Sequence, residues 1–541
     1  MENVTLSTNI KSVLGLDVGT TTIKAILISE KGDILGSSHL DTPVSVPKSL
    51  YEEIQHDILW ERVLTVVKSC LKNANTHPRD VSCIGLSTLR SSFITWSRET
   101  GKPFHNIITW KDQRAHNLAE QCDKGLQLRL LRLISVPLYA ITRSKMHQLR
   151  KNYHLDTTLC NVKLAWMLRN NIDVQKSAED NDLMFGTLDS WLLFKLNGGT
   201  AGMNVHVTEP SNVISTGLWD MFTQAYSTQL LRYFDIPGSI LPKIVDSGSP
   251  HDFGTFDCNV IQDVLLTNDV IPNIPITAVM ADQGASAYGL GCTKKGDMKL
   301  TFGTGTFFNM NTGKEPHCSF DGLWPLICWK QQGILDFFVE GHVYGTSASI
   351  EWGKQMGFYQ DPTETSDIGY ESNDIDMLCF IPAFHGLQEP FTDPRAGCGF
   401  IGLNKEHGTK EMTRAILESI AFGAKAIVER VEGQLGYAKY TKEIKVDGGA
   451  SKNDFMMQLV AELTGKTILR MPSSDMSAVG VGLMAGIQAN VWSNRDSLNQ
   501  ILLPNKIFKA NFAVEEKRTL ISRYRTWKKA CKHFSGFYAR P

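Results

Sequence analysis

The sequence carries almost no net charge. Its 55 Lys and Arg residues are balanced by 56 Asp and Glu residues, which gives a formal net charge of -1 at pH 7 over 541 residues. This balance argues against a protein that binds nucleic acid through bulk positive charge, because such proteins carry a basic surface. No nucleic-acid partner is therefore expected.

Long apolar runs are also missing. No stretch approaches the ~18–20 apolar residues that a bilayer-spanning helix needs, so no transmembrane segment is predicted. The N-terminal residues, MENVTLSTNIKS, are polar and lack the apolar core of a secretory signal. We therefore expect a cytoplasmic protein.

The 11 cysteines form no metal-binding pattern. They are scattered from Cys70 to Cys531 without a CxxC pair or a Cys/His cluster at zinc spacing. Such usage is typical of buried or free thiols in a reducing compartment.

What the chain has is an ordinary globular composition, 42% hydrophobic and 21% charged. Its length allows two to four domains at about 150 residues each.

Strand and helix patterns alternate, which indicates an α/β fold. The first segment predicts a hairpin, with strands Val13–Leu16 and Lys24–Ile28 around the turn Asp17–Thr22. A second block begins near residue 291, with strands Asp297–Phe302 and Phe307–Asn311.

Three glycine-containing turns follow predicted strands. They run from Asp17 to Thr22, from Thr301 to Phe307 and from Asp447 to Asn453. Glycine lets the backbone approach a ligand closely, and successive N–H groups in such turns bind phosphate oxygens. Alone, the first turn is equally well explained as a plain hairpin turn, and each of the other two is better explained as a simple turn, but three across both halves favour a nucleotide held between two domains. The likeness of GLDVGT to VDGGAS is weak evidence for an internal duplication.

The turns resemble the two phosphate loops and the adenosine loop of the actin-like ATPase fold. Over Val13 to His533 the chain resembles the FGGY carbohydrate kinases, and within them the glycerol kinases. The segments that carry the resemblance, in family order, are GLSTLRSSFITWSRETGKPFHNIITWKDQRA, FGTLDSWLLFKL, ADQGASAYG, KLTFGTGTFFNMNTG, IPAFHGLQEPFTDPRA, RAILESIAFGAKAI and VDGGASKNDFMMQL.

The resemblance implies a fold and an activity. The fold is α/β, with two actin-like ATPase (ribonuclease H-like) domains, residues 12–290 and 291–535, and the active site in the cleft between them. The first domain would hold the polyol pocket and the first phosphate loop, and the second domain the other two loops. The activity is ATP-dependent phosphorylation of glycerol to sn-glycerol 3-phosphate, with ATP and Mg²⁺ as cofactors.

The resemblance also assigns site residues. Asp282 would be the general base that takes the hydroxyl proton, although from the bare sequence a helix N-cap explains it better. Asp17 would lie at the Mg²⁺ site. The residues implied for the nucleotide are Thr20, Thr21, Thr22, Lys24, Thr304, Gly449 and Asn453. The residues implied for the polyol are Arg90, Ser91, Trp110, Asp282, Gln283 and Phe307.

Some positions depart from the glycerol kinase pattern. Ser91 stands where Glu is usual, Lys24 where Arg is usual, and Ser347 and Glu351 where Gly and Gln are usual. Without the Glu, one polyol hydroxyl lacks an acceptor, at a cost of roughly 1–3 kcal/mol if it is buried. Two alternatives therefore stay open: a kinase for another small polyol or ketose, and a weakly active nucleotide-binding regulatory homologue. Homo-oligomerisation also stays open.

The segment 124–155 is not explained by the kinase interpretation. It contains no Asp or Glu, and its cations alternate with leucines and isoleucines. Such a stretch could bind a membrane surface or a partner. The favoured interpretation is a helix with one solvated face and one buried face.

Overall fold

The computed structural model describes residues 11–258, 272–303, 305–318, 323–372, 377–384, 386–387, 391–393, 395–473, 475–495 and 503–538. These residues divide between two compact units. The first unit comprises those within Met1–Gly289, Leu326–Phe337 and Asp475–Ile501. The second comprises those within Leu290–Pro325, Phe338–Ser474 and Leu502–Pro541. The chain thus leaves the first unit at Gly289, and two later segments fold with that unit.

The described strands, in chain order, are β1 (Ser12–Val18), β2 (Thr22–Ser29), β3 (Ile34–Asp41), β4 (Val44–Ser45), β5 (Glu53–Ile54), β6 (Val81–Thr88), β7 (Phe93–Ser97), β8 (Ile107–Ile108), β9 (Leu183–Thr187), β10 (Val207–Thr208), β11 (Trp219–Asp220), β12 (Ala225–Tyr226), β13 (Lys243–Ile244), β14 (Thr255–Phe256), β15 (Ile274–Ala281), β16 (Met298–Phe302), β17 (Gly305–Gly313), β18 (Trp324–Gln331), β19 (Ile334–Tyr344), β20 (Cys379–Ile381), β21 (Gly399–Ile401), β22 (Glu443–Asp447), β23 (Thr467–Arg470) and β24 (Lys506–Phe508).

The described α-helices are α1 (His56–Asn73), α2 (His116–Asp123), α3 (Leu126–Thr142), α4 (Lys145–Arg150), α5 (Cys160–Asn170), α6 (Ile172–Glu179), α7 (Leu188–Leu196), α8 (Pro210–Val213), α9 (Thr228–Phe234), α10 (Asp282–Gly289), α11 (Thr346–Gln355), α12 (Thr365–Glu371), α13 (Thr409–Gln434), α14 (Asp454–Thr464), α15 (Met476–Gln488) and α16 (Val514–Phe534).

The main sheet of the first unit has the strand order β14-β15-β6-β1-β2-β3. The predicted hairpin is present, because β1 pairs antiparallel with β2, and β6 then pairs parallel with β1. All seven residues of β1 are buried. Asp17, the next-to-last residue of this central strand, therefore lies deep inside the unit, and the register places Ser87 of β6 directly beside it.

Helix α15 packs against β1, β6 and β15 through glycines. A Cβ atom at Gly15 would lie 2.0 Å from the carbonyl oxygen of Ala478, and one at Gly85 would lie 2.3 Å from that of Val481. Only a residue without a Cβ permits such a close approach between backbones. The segment that begins at Asp475 is thereby fixed against the strands that carry Asp17 and Ser87.

The second unit is built on a sheet with the order β18-β19-β17-β16-β22-β23-β24. β16 and β17 form a hairpin, and β22 pairs parallel with β16. The longest described helix, α13, packs against α14, α12 and β20, and it buries a continuous apolar face around Ile416, Ile420 and Ile427. The predicted helix Arg414–Val431 lies inside it. Helix α14 ends at Gly465, which has the left-handed backbone conformation expected of a terminating glycine.

The two units repeat one strand order, which supports an internal duplication. The turns GLDVGT and VDGGAS, however, do not occupy equivalent places in that order. In the first unit a parallel strand, β6, lies next to the hairpin β1–β2; in the second, β22 lies next to the hairpin β16–β17. The turn after β1, GLDVGT, therefore corresponds to the turn after β16. The turn VDGGAS ends β22 and corresponds instead to the end of β6. The sequence comparison paired two turns that are not equivalent in the fold.

Candidate functional site

Asp17 is a buried carboxylate at the end of a central strand. Its Oδ1 accepts a hydrogen bond of 2.7 Å from the hydroxyl of Ser87. The pKa of Asp17 is raised to about 7, chiefly by burial and also by the carboxylates of Asp282 and Asp475, although the Ser87 hydrogen bond and Lys24 lower it. Three carboxylates and one ammonium group therefore share this region, and the negative charge at Asp17 is incompletely balanced.

This donor set fits Mg²⁺. Among the residues described, no group of three or more His, Cys, Asp or Glu side chains could hold a metal by themselves. Mg²⁺ does not need such a cage, because it usually keeps several waters and binds one or two carboxylates together with substrate phosphates. Asp17, supported by Ser87, is the residue that would hold it.

Lys24 forms an ion pair that the sequence did not reveal. It lies beside Asp17 in the register of β1 and β2, and its Nζ is 2.5 Å from Oδ1 of Asp475. Asp475 immediately precedes α15, so this pair joins the first hairpin to a segment 451 positions away. Lys24 thus lies beside two carboxylates, those of Asp17 and Asp475.

The first glycine turn is compact. The N–H of Gly19 donates to the carbonyl of Thr22 at 3.1 Å, which closes the turn. Within the described part of the chain, the N–H groups of Thr20 and Thr21 donate no hydrogen bond, so two backbone donors of this turn remain available to an anion. Thr20 also accepts a hydrogen bond of 3.2 Å from the indole N–H of Trp110, which links the predicted nucleotide and polyol residues.

Asp282 stands where β15 meets α10. Its Oδ1 accepts the N–H of Gln283 at 2.7 Å and lies 3.8 Å from Nε of Arg90. The structure thus brings three predicted polyol residues together. Asp282 is the first residue of α10, and its bond reaches the adjacent N–H, so the N-cap interpretation stays a prediction.

Ser91 and its neighbours are held by a buried lysine. Nζ of Lys163 donates to the carbonyl of Thr109 at 2.7 Å and to that of Ser91 at 3.4 Å. Burial lowers the pKa of Lys163 to about 8. Because Ser91 follows Arg90 and Thr109 precedes Trp110, this lysine fixes the two backbone segments that carry predicted polyol residues.

Glu209 is a second buried group that the sequence did not single out. Five donors converge on its carboxylate: the N–H and hydroxyl of Ser211, the N–H and side-chain amide of Asn212, and the hydroxyl of Ser247. Burial raises the pKa of Glu209 to about 7, whereas these donors favour its charged form. The hydroxyl of Ser211 also accepts the backbone N–H of Ala281, and that of Ser247 accepts the backbone N–H of Lys330, each at 2.9 Å.

The serine pair allows a matched test of positioning. We expect Ser211→Ala to lower kcat about 10–100-fold, because Ser211 holds the backbone next to Asp282 and small displacements of reacting groups are costly. Ser247→Ala removes an equivalent bond to the same carboxylate but leaves Ala281 in place. Both variants should lose about 1–3 kcal/mol of stability. Steady-state kinetics with thermal unfolding check this, and equal kcat in the two variants would contradict it.

The remaining predicted residues belong to the second unit. Thr304 lies outside the described residues. Phe307 in β17 stacks on the ring of His342, with centroids 5.8 Å apart. Asn453 caps α14 by accepting the N–H of Met456 at 2.8 Å, and it donates to Thr365 at 3.0 Å. Gly449 has open space around the position of a Cβ. The structure thus shows Asn453 capping a helix. Its contact with adenosine stays a prediction.

Comparison with known proteins gives the family. Residues 12–289 match the N-terminal domain of the FGGY family of carbohydrate kinases, and residues 298–489 match its C-terminal domain. The chain belongs to this family. The carbohydrate kinase resemblance and the two-domain α/β fold predicted from the sequence are thereby confirmed.

Named relatives cover the chain almost completely. A protein named glycerol kinase 5 from Danio rerio is 35% identical over 534 residues, covering 98% of this chain and 97% of its own length. A glycerol kinase of Bacillus cereus (strain AH187) is 30% identical over 528 residues, covering 97% and 99%. The crystal structure of Plasmodium falciparum glycerol kinase with ADP superposes with a TM-score of 0.83 at 24% identity, covering 97% of this chain and 98% of that one.

Membership of the family makes this protein an enzyme that transfers a phosphoryl group to an alcohol acceptor. The family also implies a small carbohydrate as substrate. Of the helices described, none combines the length and the apolar character needed to cross a bilayer.

Proposed function

We propose that the protein transfers the γ-phosphoryl group of ATP to glycerol, giving sn-glycerol 3-phosphate. The observation that carries the proposal is the approach of Asp282 to Arg90, 3.8 Å apart. A planar guanidinium can donate to two adjacent hydroxyls, while a nearby carboxylate accepts the proton of the hydroxyl that attacks. Relatives named glycerol kinase and glycerol kinase 5 support the same choice.

In this proposal the protein positions the reactants and neutralises charge, because phosphoryl transfer requires little covalent chemistry from the enzyme. Asp282 takes the hydroxyl proton, and Arg90 with Gln283 orients the polyol. Lys24 and the backbone of Thr20 and Thr21 bind phosphate oxygens. Mg²⁺, held by Asp17, supplies charge neutralisation of the nucleotide when it is bound. Gly449, Asn453 and Thr304 of the second unit would bind the rest of the nucleotide.

An ATP-consumption assay over a panel of polyols and ketoses tests the proposal. Turnover on glycerol with a specificity constant above that of every other compound is the expected result. A preference for a pentulose would overturn the choice of glycerol but not of a kinase. Nucleotide binding without turnover on any compound would indicate a regulatory homologue instead.

A second candidate, a kinase for a different polyol or ketose, is favoured by one observation. The Ser91 hydroxyl is 3.5 Å from the carbonyl of Ser215, and its N–H donates to the Ser215 hydroxyl at 2.9 Å. A buried serine at this point offers neither the charge nor the bulk of a glutamate. A larger acceptor molecule would be tolerated there.

Replacing Ser91 separates the two candidates. We expect Ser91→Glu to lower the KM for glycerol about tenfold, because a carboxylate restores an acceptor for one hydroxyl, and such a bond contributes about 1.5 kcal/mol. Ser91 has a φ of 57°, but serine and glutamate both carry a Cβ, so no new backbone strain arises. Ser91→Gln has the same size without the charge and should give a smaller change. A KM for glycerol that stays constant or rises in Ser91→Glu counts against this pocket.

A further inference from the structure

Helix α3 presents an apolar stripe to solvent. Five of its leucine and isoleucine side chains are exposed: Leu126 (73%), Leu130 (45%), Leu133 (67%), Ile134 (55%) and Ile141 (81%). Their spacing of four, three, one and seven residues places them on one face of the helix. Leu128 and Ser135 are buried and lie on the opposite face. The helix therefore packs with one side and exposes the other, as expected, and the exposed side is apolar.

Isolated exposed leucines are ordinary on protein surfaces, but five on one helix face are not. Burying such a stripe against an apolar partner would be favourable, because it removes apolar surface from water. This outer stripe, defined by the five residues above, is therefore a docking surface that requires an occupant.

The charges around the outer stripe indicate the kind of occupant. Residues 124–155 contain no Asp or Glu. Arg132 contacts Asp123, and Arg150 lies 3.9 Å from Asp220, so part of the basic charge faces the protein. Arg129, one turn from Leu126 and Leu133, is exposed, and so is Arg143 at the end of the helix. An apolar stripe bordered by cations, on a segment that contains no acidic residue, complements an anionic lipid surface.

A second copy of the chain fits these charges less well. In a two-fold symmetric dimer the same patch meets itself. Pairing the outer stripe with its copy would bring cations toward cations, with no acidic side chain from residues 124–155 to compensate them.

We propose that α3 docks this kinase on an anionic membrane surface, with the outer stripe inserted among the lipid headgroups. The helix lies in the plane of the interface and does not cross the bilayer. The charges beside the stripe attract anionic headgroups, and the aliphatic side chains hold the helix once it arrives. The proposal is independent of which alcohol the enzyme phosphorylates.

Vesicle sedimentation with the full chain tests the docking. One set of vesicles contains phosphatidylcholine alone, and the other contains about one-third phosphatidylserine. We expect at least about tenfold tighter binding to the anionic set, which weakens as salt is raised. Equal binding to both sets, or binding to neither, would overturn the proposal.

Two matched pairs of variants locate the surface. Leu133→Glu should weaken binding to the anionic vesicles at least about tenfold, whereas Ile172→Glu, which changes a 59% exposed isoleucine at the start of α6, should not. Arg129→Gln should weaken binding severalfold, whereas Arg79→Gln, an exposed arginine elsewhere in the first unit, should not. Kinase activity without vesicles should be the same in all four variants.

Analytical ultracentrifugation of the same proteins tests whether a second copy of the chain binds the outer stripe instead. A dimer that Leu133→Glu dissociates, together with no vesicle binding by the wild-type chain, would assign the outer stripe to a second copy and overturn the lipid proposal. A monomer that binds anionic vesicles through Leu133 is the result that supports it.

Discussion

Asp282→Asn should abolish most of the turnover while leaving the protein folded. Asparagine has nearly the shape of aspartate and starts helices equally well, so the bond to the N–H of Gln283, 2.7 Å in the wild type, can be kept. The amide cannot accept the hydroxyl proton of the alcohol. Because a positioned general base typically contributes 10²–10⁴-fold, we expect kcat to fall by about that factor, with the KM for ATP nearly unchanged.

Stability measurements separate this result from a merely structural role of Asp282. Asp282→Asn should unfold within about 0.5 kcal/mol of the wild type, whereas Asp282→Ala should lose about 1 kcal/mol more, because alanine cannot support the start of a helix. If Asp282 only starts α10, activity will follow stability, and the asparagine variant will retain most of the wild-type kcat. If Asp282 is the base, both variants will be inactive although only the alanine variant is destabilised.

The local parts of the site could be predicted from the sequence. The turn from Asp17 to Thr22 and the junction before Asp282 each lie within a short continuous stretch. There, an apolar strand followed by small and polar residues specifies the backbone conformation. The predicted strand Val13–Leu16 lies inside β1, and the predicted helix Asp454–Leu463 lies inside α14. Patterns of this length depend only on near neighbours, so one sequence is sufficient to identify them.

The partners of these residues could not be predicted in the same way. Ser87 lies 70 positions from Asp17, and Asp475 lies 451 positions from Lys24. No periodicity connects residues so distant; sheet order and the packing of α15 bring them together. Glu209 was missed although four of its five donors come from Ser211 and Asn212 at the start of α8, and only the hydroxyl of Ser247 comes from a distant segment. The available local signal was TEPSN, in which Pro, Ser and Asn directly follow the acidic residue.

Helix α3 shows another limit of periodicity. Its sequence, LQLRLLRLISVPLYAIT, has apolar residues at nearly every angle around the helix. A single buried face therefore cannot be recognised from spacing, because the pattern lacks a polar side. The structure decides which side packs, and the side left over is the outer stripe.

Asp17→Asn should have opposite effects on activity and on stability. Removing the carboxylate that would hold Mg²⁺ should lower kcat about 10²–10³-fold at moderate Mg²⁺, since neutralising phosphate charge is a main task of phosphoryl-transfer enzymes. Activity should recover only partly when Mg²⁺ is raised. In the metal-free and nucleotide-free protein, however, the variant should be more stable than the wild type above pH 7, because a neutral amide replaces a buried and poorly balanced charge.

The pH dependence follows from the raised pKa of Asp17, about 7 in the folded protein against 3.8 ordinarily. Folding then favours the protonated acid, so the stability from this group is fully present below pH ~4 and is lost as the pH rises through about 7. Wild type and Asp17→Asn should therefore unfold at similar temperatures near pH 4 and diverge by up to a few kcal/mol at pH 8. Asp33→Asn, at an exposed aspartate in the same unit, should show no such divergence.

Mg²⁺ with nucleotide should reverse this order of stability. Ligands that bind only the folded state stabilise it in proportion to their affinity, and the wild type should gain more than Asp17→Asn because its carboxylate is available to the metal. An Asp17→Asn variant that is less stable than the wild type at pH 8 without metal would show that the charge is balanced by other groups. A variant that stays fully active would remove Asp17 from the metal site. A buried carboxylate that lowers the stability of the protein is expected where it binds a cation during catalysis. The opposite effects of Asp17→Asn on activity and on stability test this connection directly.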